Sequence, residues 1–151
     1  ENTFVVHLCR PFFRNPRSEY VKLPKVYFED TGLRNFISGN MGITENRPDF
    51  GNQVENLVFL ELKKQKDISG DIRFWRSERG AEVDFILTDH TGHIYPLEVK
   101  YQPFPGPKFP SGLRAFIERY KPEMAFVATK DFWATEKLND TKVIILPAWG
   151  I

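Results

Sequence analysis

Cysteine is nearly absent from this 151-residue sequence, which holds only Cys9. An internal disulfide and any zinc cluster built on cysteines are thereby excluded, and a reducing cytoplasm suits the chain. Net charge is also nearly absent: 21 Lys and Arg stand against 20 Asp and Glu, leaving +1. That removes a global electrostatic pull toward nucleic acid or a membrane surface, so any basic site must be local. There is no G-x-x-x-x-G-K-S/T, which excludes nucleotide binding in the P-loop manner, and neither G-x-S-x-G nor H-E-x-x-H occurs. No run reads as a signal peptide or a membrane span, so a cytoplasmic protein without a membrane partner is expected. Internal repeats and low-complexity tracts are missing too.

What the chain does have is apolar mass. Hydrophobic residues make up 41% and aromatics 15%, with 14 phenylalanines, enough for a folded domain with a real core. It opens at Glu1 and runs at once into strand-like TFVVHLC, which points to a piece of a longer protein. RPFFRNPRSEYVKLPK then reads as a connector in which Arg10, Arg14, Arg17, Lys22 and Lys25 face one acid, Glu19. A phosphate-facing patch is the functional meaning of such a run, and a solvated loop is the commoner one. Val26 to Phe28 reads as a short strand. Asp30 or Thr31 then caps a short helix ending near Gly39, and Asp30 is better explained as that cap than as a catalytic acid.

Asp49 to Gln65 is the strongest helix, about four turns with a dense apolar middle. Glu55 shares a face with Val58, Phe59 and Leu62, and a charge on a buried side calls for a partner or a metal. Glu61 lies as near the apolar centre, so helical spacing does not choose between the two. Asp71 to Trp75 reads as a strand. Leu113 to Tyr120 is expected to be helical, and Met124 to Thr129 and Val143 to Leu146 to be strands. Interleaved strands and helices give an α/β domain with a central mixed sheet flanked by helices. Trp75, Trp133 and Trp149 are expected to be packing residues rather than base-stacking platforms.

Between these lies AEVDFILTDHTGHIYPLEVK, two strands from Ala81 to Leu87 and Ile94 to Lys100 around a turn. Alternation puts Glu98 and Lys100 on one face and Tyr95, Leu97 and Val99 on the other. A five-residue loop, Asp89 to His93, pairs Thr88 with Ile94 and brings Asp84 opposite Glu98. A two-residue turn at Thr91-Gly92 would place Asp84 opposite Val99, and both registers stay open. Two carboxylates about 4 Å apart repel by roughly 4 kcal/mol at an effective dielectric near 20, so the first register needs a proton, Lys100 or a metal between them. His90 and His93 have H-x-x-H spacing but sit in the turn, where solvation is the expected role. The proline-rich YQPFPGPKFPSG after Lys100 is irregular, and either borders a substrate or simply connects.

A helix with a buried-side Glu, then a strand Asp, then Glu-x-Lys on the paired strand is the order of parts in the PD-(D/E)xK nuclease-like, restriction-endonuclease-like fold. Each part has a chemical reason. Asp84 and Glu98, with Glu55 completing or supporting the shell, would hold magnesium or manganese, hard cations that take oxygen ligands. The ion would polarise a phosphodiester and acidify a bound water, and Lys100 would orient that water or neutralise developing charge.

KVYFEDTGLRN, ENLVFLEL, FWRSERGAEVDFIL, PLEVKY and YKPEMAFVATKD together resemble the C-terminal domain of unknown function that follows the AAA-type ATPase module in a large family of bacterial and archaeal ATPases. The resemblance favours Glu55 over Glu61 and falls on Asp84, Glu98 and Lys100. It implies that residues 1–25 connect to a missing N-terminal ATPase and winged-helix part, where ATP would bind, and that 26–151 form the nuclease-like domain. DNA and the ATPase module are then the expected partners. Two functions follow: metal-dependent DNA phosphodiester hydrolysis, or a non-catalytic DNA- or protein-binding module that regulates the ATPase.

Overall fold

A computed structural model describes residues 5–13, 23–42, 47–65, 70, 72–103, 106 and 109–151. Among these the chain runs β1 (Val6–Pro11), β2 (Lys25–Phe28), α1 (Thr31–Ile37), α2 (Phe50–Lys64), β3 (Arg73–Arg76), β4 (Glu82–Thr88), β5 (Ile94–Lys100), α3 (Ser111–Tyr120), β6 (Met124–Thr129), β7 (Ala134–Leu138) and β8 (Thr141–Pro147). The eight strands form one sheet in the order β2-β1-β3-β4-β5-β6-β8-β7. It is mixed: β1/β3, β5/β6 and β6/β8 are parallel and the other neighbours antiparallel. The expected mixed α/β architecture is present.

Alternation along the central strands builds a core on each face. On one face, α2 lays Val54, Val58, Phe59 and Leu62 against Tyr27, Phe74, Phe85, Leu87, Leu97 and Val99. On the other, Leu113, Phe116 and Ile117 of α3 meet Trp75, Val83, Ile86, Val127, Val143 and Ile145. Phe74, Phe85 and Phe116 are fully buried, and apolar surface removed from water at about 25 cal/mol per Å² makes them major contributors to stability.

One irregularity positions the site. Arg73 pairs with Ile86 but Trp75 pairs with Val83, so β4 carries an extra residue between those two pairings. Val83 and Ile86 consequently both pack with the α3 cluster, three positions apart instead of two or four. This is a β-bulge, and Asp84 lies in it.

Local expectations hold at several ends. Asp30 caps α1 by accepting from the Leu33 amide at 2.7 Å. Asp49 precedes α2 and pairs with Arg34 and Arg47. α3 starts at Ser111, two residues before the expected Leu113, and its Gly112 packs tightly on β4, where a Cβ would lie 1.7 Å from the Glu82 carbonyl oxygen. β7 escaped the sequence pattern: ATEKL is a half-exposed edge strand with little apolar signal. Of the three tryptophans only Trp75 packs in the core. Trp133 and Trp149 are 57% and 76% exposed and meet edge to face with ring centres 6.0 Å apart.

Candidate functional site

The hairpin takes the five-residue loop. β4 and β5 pair from Thr88–Ile94 through Phe85–Leu97, and the same count carried one step further sets Asp84 against Glu98. Asp89 makes the turn: its carboxylate accepts the amides of Thr91 and His93, and Gly92 takes the positive φ of 86° that the loop requires. His90 and His93 are exposed in that turn.

From the bulge, Asp84 reaches in two directions. Its Oδ2 accepts the Val99 amide of β5 at 2.9 Å and its Oδ1 accepts from Lys25 Nζ at 3.0 Å. Lys25 belongs to β2, three strands away in the sheet order, and its ammonium also meets Glu55 at 2.9 Å and Glu82 at 2.6 Å. β2 is held on α2 two residues on, where Tyr27 stacks on Phe59 with ring centres 4.4 Å apart and donates its hydroxyl to Glu55 at 2.5 Å. Glu82 is held from its other side by Arg76 at 2.5 Å. Glu98 stands beyond Asp84 on β5, buried, with Lys100 Nζ 2.8 Å from its Oε1. Its Oε2 is buried without a hydrogen-bond partner.

The four residues singled out from the sequence therefore fall in one region, arranged as a chain with Asp84 in the middle. Glu61 is excluded from it, being paired with Lys64 on the surface. Lys25 does not face outward as part of a basic patch; it is turned into the acids. Arg10 is exposed on β1, beside Arg73 of β3. Arg14, Arg17 and Lys22 lie outside the described residues. Lys25, Tyr27 and Glu82 joined the site unannounced, although the two-residue spacing of Lys25 and Tyr27 does place them on one strand face.

The sequence pattern of the family described as "Domain of unknown function (DUF4143)" matches residues 50–149, about two thirds of the chain and all of α2 through β8. The chain belongs to the DUF4143 family. Two curated proteins are similar to it, Uncharacterized protein Mb2031c of Mycobacterium bovis and Uncharacterized protein Rv2008c of Mycobacterium tuberculosis. Each is 28% identical over 101 residues, covering 66% of this chain but only 22% of the relative's length. No solved structure matches the chain.

Electrostatics divide the DUF4143 site into two halves. Burial, and then the Asp84 charge, push the Glu98 carboxyl up to about 7. Burial and Asp84 also raise Glu55, against the opposing pull of Lys25 and Tyr27. Burial alone would weaken the Lys25 charge, but Asp84, Glu55 and Glu82 together outweigh it and hold the ammonium above its ordinary pKa. Lys100 is raised in the same way, with burial outweighed chiefly by Glu98. Protonated amines thus serve both halves.

Whether a divalent cation suits these residues is decided by their donor oxygens. Among the described residues no three His, Cys, Asp or Glu side chains form a metal-holding group, and the three carboxylates that do meet, Glu55, Glu82 and Asp84, surround the Lys25 ammonium. Glu55, expected among the ligands, is engaged by Lys25 and Tyr27 instead. Asp84 and Glu98 do fit a hard cation, because Glu98 Oε2 is a buried carboxyl oxygen without a hydrogen-bond partner, and magnesium needs only one or two carboxylates when substrate supplies the rest. A cleft of about 430 Å³, lined among others by Lys25, Tyr27, Arg34, Asn52, Glu55 and Glu82, opens beside this cluster.

Proposed function

We propose that this DUF4143 domain is a nuclease-like module with a restriction-endonuclease-like core, hydrolysing DNA phosphodiesters with magnesium or manganese at Asp84 and Glu98. The observation that carries the reading is the partnerless, buried Oε2 of Glu98 next to Asp84, with Lys100 bonded to the other oxygen of the same carboxylate. Such an oxygen is unfavourable to bury unless something cationic meets it. A bound divalent ion would polarise the phosphodiester and lower the pKa of a water.

The chain's own residues would do the rest. The Val99 amide fixes Asp84, so its carboxylate is oriented before any substrate arrives. Lys100 has a side chain 42% exposed while that of Glu98 is 6% exposed. Its ammonium therefore bridges the buried acid and solvent, where a phosphate oxygen can meet it and where an attacking water can be oriented. An ATPase module elsewhere in a longer protein would deliver the DNA.

The test is calorimetric titration of Mg²⁺ and Mn²⁺ into wild type, Asp84→Asn and Glu98→Gln, followed by cleavage assays on single-stranded, duplex and branched DNA. Binding near millimolar or tighter, lost in both variants and accompanied by cutting, is expected. No metal binding by a folded wild-type domain would overturn the catalytic reading.

A second reading has its own observation. Lys25 already neutralises the Glu55 half of the cluster, as a structural ion-pair group would. A non-catalytic module that binds DNA or protein and steers the ATPase would need no more than this, and its DNA binding would weaken with salt and ignore metal.

A further inference from the structure

Lys25 is the least expected member of the site and the most heavily engaged. Its ammonium has three carboxylates within 3.0 Å, Glu82 at 2.6 Å, Glu55 at 2.9 Å and Asp84 at 3.0 Å, from α2 and two positions of β4. Its side chain is 16% exposed, and one wall of the adjoining cleft is Lys25 itself. An ammonium has three donors, and here each finds an anionic oxygen, so the geometry is that of a cation seated among its ligands.

We infer that Lys25 is the resident cation of the Glu55 half of the cluster, so that the domain takes a single divalent ion, at Asp84 and Glu98, and takes a second only when Lys25 is removed. The inference rests on the metal-dependent reading above for its first ion but not for its second. Three physical points support it. Glu55 and Asp84 are like charges that need a cation between them, and Lys25 is that cation in the folded chain. Asp84 Oδ1 is used by Lys25 and Oδ2 by Val99, while the partnerless oxygen of the cluster, Glu98 Oε2, is at the other end. The strand that carries Lys25 is also fixed on α2 by the Tyr27–Phe59 stack and by Asn56, whose side chain pairs with both the amide and the carbonyl of Phe28 at 2.8 Å. Lys25 is held in place from its own strand and does not reach the acids by a chance extension from the surface.

Mn²⁺ binding to the wild-type domain, Lys25→Met and Lys25→Arg, followed by calorimetry and by electron paramagnetic resonance counting of bound ion, tests this. One site is expected in wild type and Lys25→Arg, and two in Lys25→Met, the added site lost again in Lys25→Met/Glu55→Gln. Two sites in wild type, or no gain in folded Lys25→Met, would overturn the inference. If wild type binds none while Lys25→Met binds one, the phosphodiesterase reading fails and the role of Lys25 stands. Should Lys25→Met not fold, mass-spectrometric acylation of wild type decides: Lys25 should react at least ten-fold more slowly than Lys64 and stay protected at saturating Mn²⁺. Reactivity appearing with the metal would mean that the ion displaces Lys25, and would overturn the inference.

Discussion

Glu98 concentrates the tension of the site in a single side chain. It is buried, faces the Asp84 charge and has one oxygen without a partner. Its carboxyl is raised from 4.5 to about 7 in the folded chain, so the fold binds that proton more tightly than the unfolded chain does. The stabilisation is complete below pH 4.5 and is lost as pH rises through about 7. Lys100 opposes the loss and Asp84 adds to it. In the presence of chelator, thermal denaturation of wild type should therefore show a falling Tm between pH 5 and 8, and Glu98→Gln should flatten that slope. At pH 8 the variant should be the more stable protein by on the order of 2 kcal/mol. A wild-type Tm that rises across this range would refute the argument. At this scale the order of parts offered Asp84, Glu98 and Lys100, while spacing left Glu55 level with Glu61 and only the family resemblance favoured Glu55. Neither meaning of the Arg10 to Lys25 run, phosphate-facing patch or solvated loop, describes Lys25, because its partners Glu55 and Asp84 are 30 and 59 residues away and a pairing at that range is not written in local spacing.

Among the elements, β4 shows how a motif and its geometry part company. The run EVDFILT alternates like a strand, but pairing with β3 inserts an extra residue before Ile86, and Asp84 sits at that break. The bulge and the start of α3 are coupled, since Gly112 lies on the backbone of Glu82 two residues before Asp84. Any side chain there must push helix and strand apart. Gly112→Ala is therefore expected to destabilise the domain by about 1–3 kcal/mol, the range for overpacking, despite the better helix propensity of alanine. Urea unfolding measures the loss, and metal affinity should fall with it because Glu82 and Asp84 move together. Unchanged stability would show that the close approach is relaxed in solution. The long helix and the two strands of the hairpin were legible because apolar periodicity and turn chemistry are local signals, whereas the register stayed open until the strand pairing decided it. β7 was not, since an edge strand need not be apolar.

At the scale of the molecule, 21 basic and 20 acidic residues cancel, while the acids gather at one place: Glu55, Glu82, Asp84 and Glu98 against Lys25 and Lys100. Fully ionised, those four acids still exceed Lys25, Lys100 and the Arg76 that pairs with Glu82, so a polyanion approaching the metal-free acids meets repulsion where it must dock. A divalent ion at Asp84 and Glu98 reverses the local sign. DNA binding by the isolated domain should accordingly be weak without metal, no tighter than about 10⁻⁴–10⁻⁶ M at physiological salt, the ordinary range for non-specific contacts. Calcium, which supplies charge to oxygen ligands, should tighten it at least ten-fold in wild type and leave Glu98→Gln unchanged. Fluorescence anisotropy with labelled single-stranded and duplex oligonucleotides at several salt concentrations reads both effects. The opposite result, tight binding that ignores divalent ions and falls steeply with salt, would locate the DNA contact on basic side chains away from the acids. It would favour the regulatory module over the phosphodiesterase, because a site whose own charge repels its substrate has a use for that charge only if a metal comes between them.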